Sequence, residues 1–141
     1  MKFWPLIAIF LLSACLDENI ADHFVADGSV ESLTVVASES QVFTCVVAIY
    51  RATPAAGPPE LAQNFEPWSI NPLTERVHEM AIEIRVLGNA DECWNNKIRK
   101  VTGSHSLWEY LEAASPMNSF DHGGNVALFD PQRNLFIAFT G

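Results

Sequence analysis

The chain has 141 residues, with 17 acidic side chains against 8 basic ones and a formal net charge of −9. A surface of that sign repels phosphate backbones and anionic lipid head groups, which argues against nucleic-acid binding and against membrane attachment through a basic face. A chain of this length, less a leader and a tether, leaves a folded unit of about 110 residues, one domain large enough for a real core.

Lys2 precedes an apolar run from Phe3 to Leu12, broken by Pro5 and followed by the small residues Ser13 and Ala14. A charged start, a short hydrophobic stretch and a small-residue cleavage zone form the layout of an export signal, so residues 1–14 are expected to be a signal peptide. Ten apolar residues rise only about 15 Å as a helix, half of a bilayer core of about 30 Å, too little for a permanent span. The end of the segment, Leu12-Ser13-Ala14-Cys15, resembles the lipobox of bacterial lipoproteins, in which a signal peptidase cuts just before the cysteine. The resemblance covers the first fifteen residues only. It implies that the Cys15 thiol carries a diacylglyceryl group and its amine a further chain such as palmitate. Two or more chains anchor a protein stably. The alternative is an ordinary signal cut after Ala14 that leaves no lipid. By the sorting pattern of enteric lipoproteins, Leu16 rather than aspartate after the cysteine implies the outer membrane, with the domain facing the periplasm. With Cys15 acylated, Cys45 and Cys93 remain as an even pair in an oxidising compartment and are expected to form a disulfide. Two buried free thiols are the alternative reading.

Residues 15–31 hold Asp17, Glu18, Asp22, Asp27 and Glu31 with few large apolar side chains, the composition of a solvated acidic tether. Residues 32–141 are then expected to form a single globular domain. Ser32 to Ala37 is rich in β-branched residues and suits a short strand. Val42 to Ala52 is ambiguous. Its valines and isoleucine favour a strand, but Val42, Phe43, Val46, Val47 and Tyr50 also share a helical face, and Ser38 with Gln41 resembles a capping box. Helix is the preferred reading. Residues 53–72 contain five prolines, which remove backbone donors and disfavour helix before them. A long loop draped over the domain, pinned by Phe65 and Trp68, is expected. Asn71 and Pro72 then suit the cap and first turn of a helix that Gly88 can end. Asp91 is taken to begin a second helix, stopped by Gly103. Ser106 and Glu109 form a capping box for a third, which runs to Ala114 before Pro116. The C-terminus reads as a hairpin, Asn125 to Phe129 and Asn134 to Thr140 around a turn at Asp130 to Arg133. Both faces of these strands are apolar, so something must cover each. The expected class is α+β, with three to four helices packed on a small C-terminal antiparallel sheet and one disulfide.

No catalytic motif is complete. His78-Glu79 begins like the helical zinc-protease motif, but Ile82 stands where the second histidine must be. His122-Gly123-Gly124 resembles the oxyanion-hole glycines of esterases, yet no GxSxG elbow exists and the position is near the chain end. Ser104, His105 and Ser106 with Asp121 have the composition of a triad, which only geometry can establish. Glu75, Glu79 and Glu83 stand four apart on one helical face and suit a basic partner, at a small cost to the helix. Lys97, Arg99 and Lys100 end a helix whose start is acidic, the order that the helix dipole favours. No phosphate loop, dinucleotide fingerprint or calcium loop occurs, so no cofactor or metal is expected.

These readings point to an anchored envelope protein with an interaction or assembly-accessory role. Glu75, Glu79, Glu83 and Trp68 are the expected contact residues, and another envelope protein is the expected partner. A small hydrolase using His78, His105, His122 and Asp121 is the alternative, and requires at least two of these to converge in a pocket. A small-ligand carrier is another, and requires an apolar cavity of about 300 Å³.

Overall fold

Continuous apolar runs along the C-terminal strands build a sheet with two buried faces, and each face has its own cover. The computed structural model describes residues 20–28, 32–41, 45–55, 57–76 and 84–140, with the side chains of 84 and 85 left aside. Residues 20–24 are helical (α1). Strands β1 (Leu33–Gln41) and β2 (Cys45–Ala52) follow, then helices α2 (Leu73–Arg76), α3 (Ile84–Glu92), α4 (Asn96–Thr102) and α5 (Leu107–Ala114). Strands β3 (Met117–Phe120), β4 (Asn125–Asp130) and β5 (Leu135–Thr140) complete the described chain. The five strands form one antiparallel sheet in the order β1-β2-β5-β4-β3, so the fold is α+β. The sheet is not confined to the C-terminal part, because β2 supplies a central strand and β1 an edge.

One face of the sheet carries Val47, Ile49, Val126, Leu128, Ile137 and Phe139 against Leu87, Ala90, Ile98, Leu107 and Tyr110 of the helices. The opposite face carries Ala48, Tyr50, Ala127, Phe129, Phe136 and Ala138 against Ala21, Phe24, Val25 and Phe65. The odd and even positions of β2, β4 and β5 thus divide cleanly between two cores, as the two-residue period of a strand requires. The Cys45–Cys93 disulfide, with Cα atoms 6.3 Å apart, joins the start of β2 to the residue after α3 and ties the helical layer to the sheet.

The helix expected over Val42–Ala52 is a strand from Cys45 onward, while 42–44 lie outside the described residues. This strand pairs on both edges and is buried on both faces, so its apolar run is continuous and a helical spacing within it is coincidental. Ser38 and Gln41, read as a cap, lie in β1, which bulges between Val35 and Ala37. The acidic stretch read as a tether is already packed by residue 20. Ala21, Phe24 and Val25 occupy positions i, i+3 and i+4 of one helical face and are buried.

Two helix limits also shift. Gly88 does not end its helix but lies inside α3, and Asp91 belongs to the last turn of α3 instead of opening α4. Its carboxylate accepts the Leu107 amide at 2.8 Å and so helps cap α5. Asn95 is the true cap of α4, accepting from the Ile98 amide at 2.9 Å, and Gly103 closes that helix at φ 72°. Ser106 caps α5 by accepting from the Glu109 amide, while the Glu109 carboxylate accepts from the His105 amide. Buried Tyr110 donates to Asp130 at 2.8 Å, and Asp130 also holds the β4–β5 turn through the Gln132 and Arg133 amides.

Candidate functional site

The face of the sheet opposite the four helices is covered by the 53–72 loop and the 20–28 segment, and backbone hydrogen bonds join these two covers to each other. Ala26 N–H donates to the Glu60 carbonyl at 2.8 Å, and Ala62 N–H donates to the Phe24 carbonyl at 3.0 Å. Val25 and Leu61 face each other across this short antiparallel bridge. The other end of the loop is fixed to the sheet edge, where Ser69 and Asn118 exchange backbone bonds of 2.9 Å. Trp68 packs on Phe129 and Phe136 at centroid distances of 6.4 and 6.3 Å, and its indole N–H donates to the Pro59 carbonyl. Phe24 and Phe65 pack at 5.1 Å beneath the bridge. Pinning of the loop by Phe65 and Trp68, the expectation from sequence, is what the fold contains.

Two concavities adjoin on this face. The first encloses about 290 Å³, with Phe129 and Phe136 from the sheet and Pro58 and Pro59 from the loop among its lining residues. Its polar lining comes from Ser32, Glu60 and Asn134. Asn134 is held at φ 52°, a conformation that asparagine tolerates, and its amide nitrogen donates to the Ala52 carbonyl at 2.8 Å. That bond leaves the second amide hydrogen and the side-chain oxygen able to meet a ligand. The second concavity encloses about 310 Å³ and is lined by Asp22, Asp27, Glu60 and Gln63 with Val25, Ala26, Leu61 and Ala62. Glu60 belongs to both, so it stands on the wall between them. Among the described residues no lysine, arginine or histidine lines either one. The site therefore combines acidic residues with neutral polar side chains beside the prolines of the loop.

Comparison with protein-family models, curated proteins and solved structures finds no match for this chain.

The residues singled out from sequence are dispersed. Cys15, His78, Glu79 and Glu83 lie outside the described residues. Glu75 is exposed on α2. Trp68 is half-buried, with its N–H committed to the loop, so it acts first as a pin. His105 is exposed before α5, with its amide and carbonyl bound to Glu109 and Arg99. The His122 imidazole is 78% exposed in the β3–β4 turn, 3.8 Å from Glu66. Both Asp121 oxygens organise that turn, accepting from the Gly123 and Asn125 amides and from the Asn64 and Asn125 side chains. Ser106 is engaged as a helix cap, and neither concavity has a histidine in its described lining. Among the described residues, no group of three His, Cys, Asp or Glu side chains is placed to hold a metal ion, and no helix is long and apolar enough to cross a membrane.

Sequence reading did not single out Glu60, Asn134, Phe129 or Phe136 as a site. The apolar second face of the hairpin called for a cover. Which residues form that cover depends on contacts between positions 24–26 and 60–62, and no local pattern encodes these.

Proposed function

We propose that the chain is a lipid-anchored protein of the bacterial cell envelope, held through Cys15 at the periplasmic face of the outer membrane, whose domain is a non-catalytic protein-interaction module. The observation that carries this reading is the pair of adjoining concavities on the loop face. They are bordered by the backbone bonds between residues 24–26 and 60–62, carry acidic residues, and have no histidine, cysteine, lysine or arginine in their described lining. A preorganised, one-signed concave surface suits recognition of a partner, because little ordering entropy is lost on binding. The exposed apolar side chains Val35, Ile70 and Trp108 stand on β1, the loop beside β3 and α5. They are spread over the molecule, so the loop face is the better candidate surface.

Photocrosslinking in intact cells tests this reading. A photoreactive side chain at Glu60, and separately at exposed positions on the helical layer, is followed by mass spectrometry of captured proteins. A reproducible envelope partner supports the reading, and capture of none from any position refutes it. Intact mass of the processed chain tests the anchor, since a species without acyl chains overturns it. One observation favours a second reading, a small-ligand carrier: the first concavity approaches the size of ligand pockets and is backed by two phenylalanines.

A further inference from the structure

We infer that Glu39 and Asn95 form a latch on the outer edge of the sheet, an autoinhibitory contact that keeps β1 from pairing with β1 of a second copy of the chain. Sheet edges carry rows of backbone N–H and C=O groups that template pairing with another chain unless something closes them. The β3 edge is closed by the loop, since Ser69 exchanges backbone bonds with Asn118. The β1 edge has no such cover. Among the described residues, no backbone group pairs with the side of residues 34–40 that faces away from β2. This strand is nine residues long, and Thr34, Val35, Ser40 and Gln41 are exposed on it.

Side chains close the edge instead. The Asn95 amide nitrogen donates to the Ser38 carbonyl at 3.3 Å and to the Glu39 carboxylate at 3.2 Å. The other oxygen of that carboxylate accepts from the Ser40 amide at 3.0 Å. Asn95 caps α4 in the helical layer and is no part of β2, so the Ser38 carbonyl points away from the ladder. The two-residue period of a strand then turns Ser40 the same way. The latch thus occupies an outward acceptor and an outward donor on alternate residues, the groups an incoming antiparallel strand would bond. Asn95 is fixed in place, because its side-chain oxygen accepts from the Ile98 amide. The bulge between Val35 and Ala37 breaks the spacing nearer the start of β1, which leaves residues 38–40 as regular edge. Two copies joined antiparallel with Ser38 of one opposite Ser40 of the other set Glu39 against Glu39, with Cα atoms about 4.5 Å apart. Like charges directly opposite destabilise such a pair, and the net charge of −9 on each copy adds to the repulsion. Glu39 therefore bars a second copy both by holding the Ser40 amide and by its charge.

The test is sedimentation equilibrium of the full chain in density-matched non-ionic detergent. Asn95→Ser keeps a good cap for α4 but is too short to reach Ser38, and Glu39→Ala frees the Ser40 amide and removes the charge. The unaltered chain is expected to be monomeric, and the variant with both substitutions to dimerise with an association constant at least about tenfold higher. Adding Ser40→Pro removes the outward donor without touching the bonds to β2, and is expected to restore the monomer. Amide exchange of Glu39→Ala alone, a change outside both cores, gives a second readout. The Ser40 N–H should exchange about tenfold faster there than in the unaltered chain. A doubly substituted chain that stays folded and monomeric overturns the inference. So does a dimer that survives Ser40→Pro, or an unaltered chain that dimerises as strongly as the variant. If the doubly substituted chain does not fold, unchanged Ser40 exchange in Glu39→Ala overturns the inference and faster exchange supports it.

Discussion

Reducing the Cys45–Cys93 bridge opens a loop whose ends are 48 positions apart, containing most of β2, the proline-rich loop, α2 and α3. On the loop-entropy account, closure of about 48 residues restricts the unfolded chain by about 4 kcal/mol. A domain of this size has a total stability of about 5–15 kcal/mol, so the bridge supplies a large share of it. Both cysteines are buried at the seam between β2 and the helical layer. The thiols left by reduction therefore remain in apolar surroundings, and the main loss is the constraint on the unfolded chain. In urea, with a slope of about 2 kcal/mol per molar, the unfolding midpoint is expected to fall by about 2 M on reduction. The slope itself should rise, because an unconstrained unfolded chain exposes more surface. The paired substitution Cys45→Ala with Cys93→Ala provides a reductant-free arm and should reproduce the shift. A midpoint that moves by less than about 0.3 M, with the bridge confirmed as formed and then reduced by mass, refutes the reasoning. The helical layer would then be held on the sheet by packing alone.

Tyr110→Phe removes the buried bond to the Asp130 carboxylate and is expected to cost about 1.5–3 kcal/mol in urea unfolding. Burial first, and then the charge of Asp130, push the Tyr110 hydroxyl well above its ordinary range. The folded state thus keeps a proton that the unfolded state begins to release near pH 10. The stability tied to that proton is complete below this pH and is lost above it by up to about 1.4 kcal/mol per pH unit, a slope that Tyr110→Phe should remove. Asn95→Ala deletes the cap of α4 and its side-chain bonds to Ser38 and Glu39 of β1, and should lower stability by about 1–2 kcal/mol in thermal unfolding. Asp121→Ala should cost about 3 kcal/mol because four donors lose one carboxylate, while His122→Ala should stay within about 0.5 kcal/mol. Equal and small effects would show that Asp121 does not organise the turn.

The sequence made legible those elements whose signals are local. Ser106, Gly103 and the apolar runs at Asn125–Phe129 and Asn134–Thr140 around a short turn each mark structure within a few residues of themselves, and the fold keeps all three. Cys45 and Cys93 were paired by counting alone. The misread elements owe their state to distant partners. The Cys45–Ala52 strand has no alternation to display, since helices cover one of its faces and the loop side the other. Strand β3 contains no β-branched residue, and buried Asn118 and Ser119 are satisfied there by the Asn71 and Glu66 carbonyls of the loop. Residues 20–24 show a helical face only one turn long, which the surrounding acidic composition outweighs. The candidate site shares this property, because its wall is a bridge between segments some 36 positions apart (Val25 to Leu61).

Packing of residues 20–28 onto the sheet also sets how far the domain can stand from a lipid anchor. If Cys15 carries the proposed acyl chains, five peptide steps separate it from Ile20, and a fully extended chain spans at most about 18 Å over that distance. An acidic tether reaching to residue 31 would allow about 56 Å. The short leash starts at α1, beside Asp22 and Asp27 of the second concavity, so that concavity lies on the anchored side of the domain. A partner of this face must then reach it close to the bilayer surface, where a Debye length of about 8 Å leaves head-group charge still felt. Neutron reflectometry of the lipidated chain on a supported bilayer measures the separation directly. Protein density should begin within about 18 Å of the head groups, and inserting ten glycine and serine residues after Leu16 should widen the gap by up to about 35 Å. A gap well beyond 18 Å in the unaltered chain would mean that residues 20–28 leave the sheet when the protein is anchored. The Val25–Leu61 bridge, and with it the wall between the two concavities, would then be absent at the membrane.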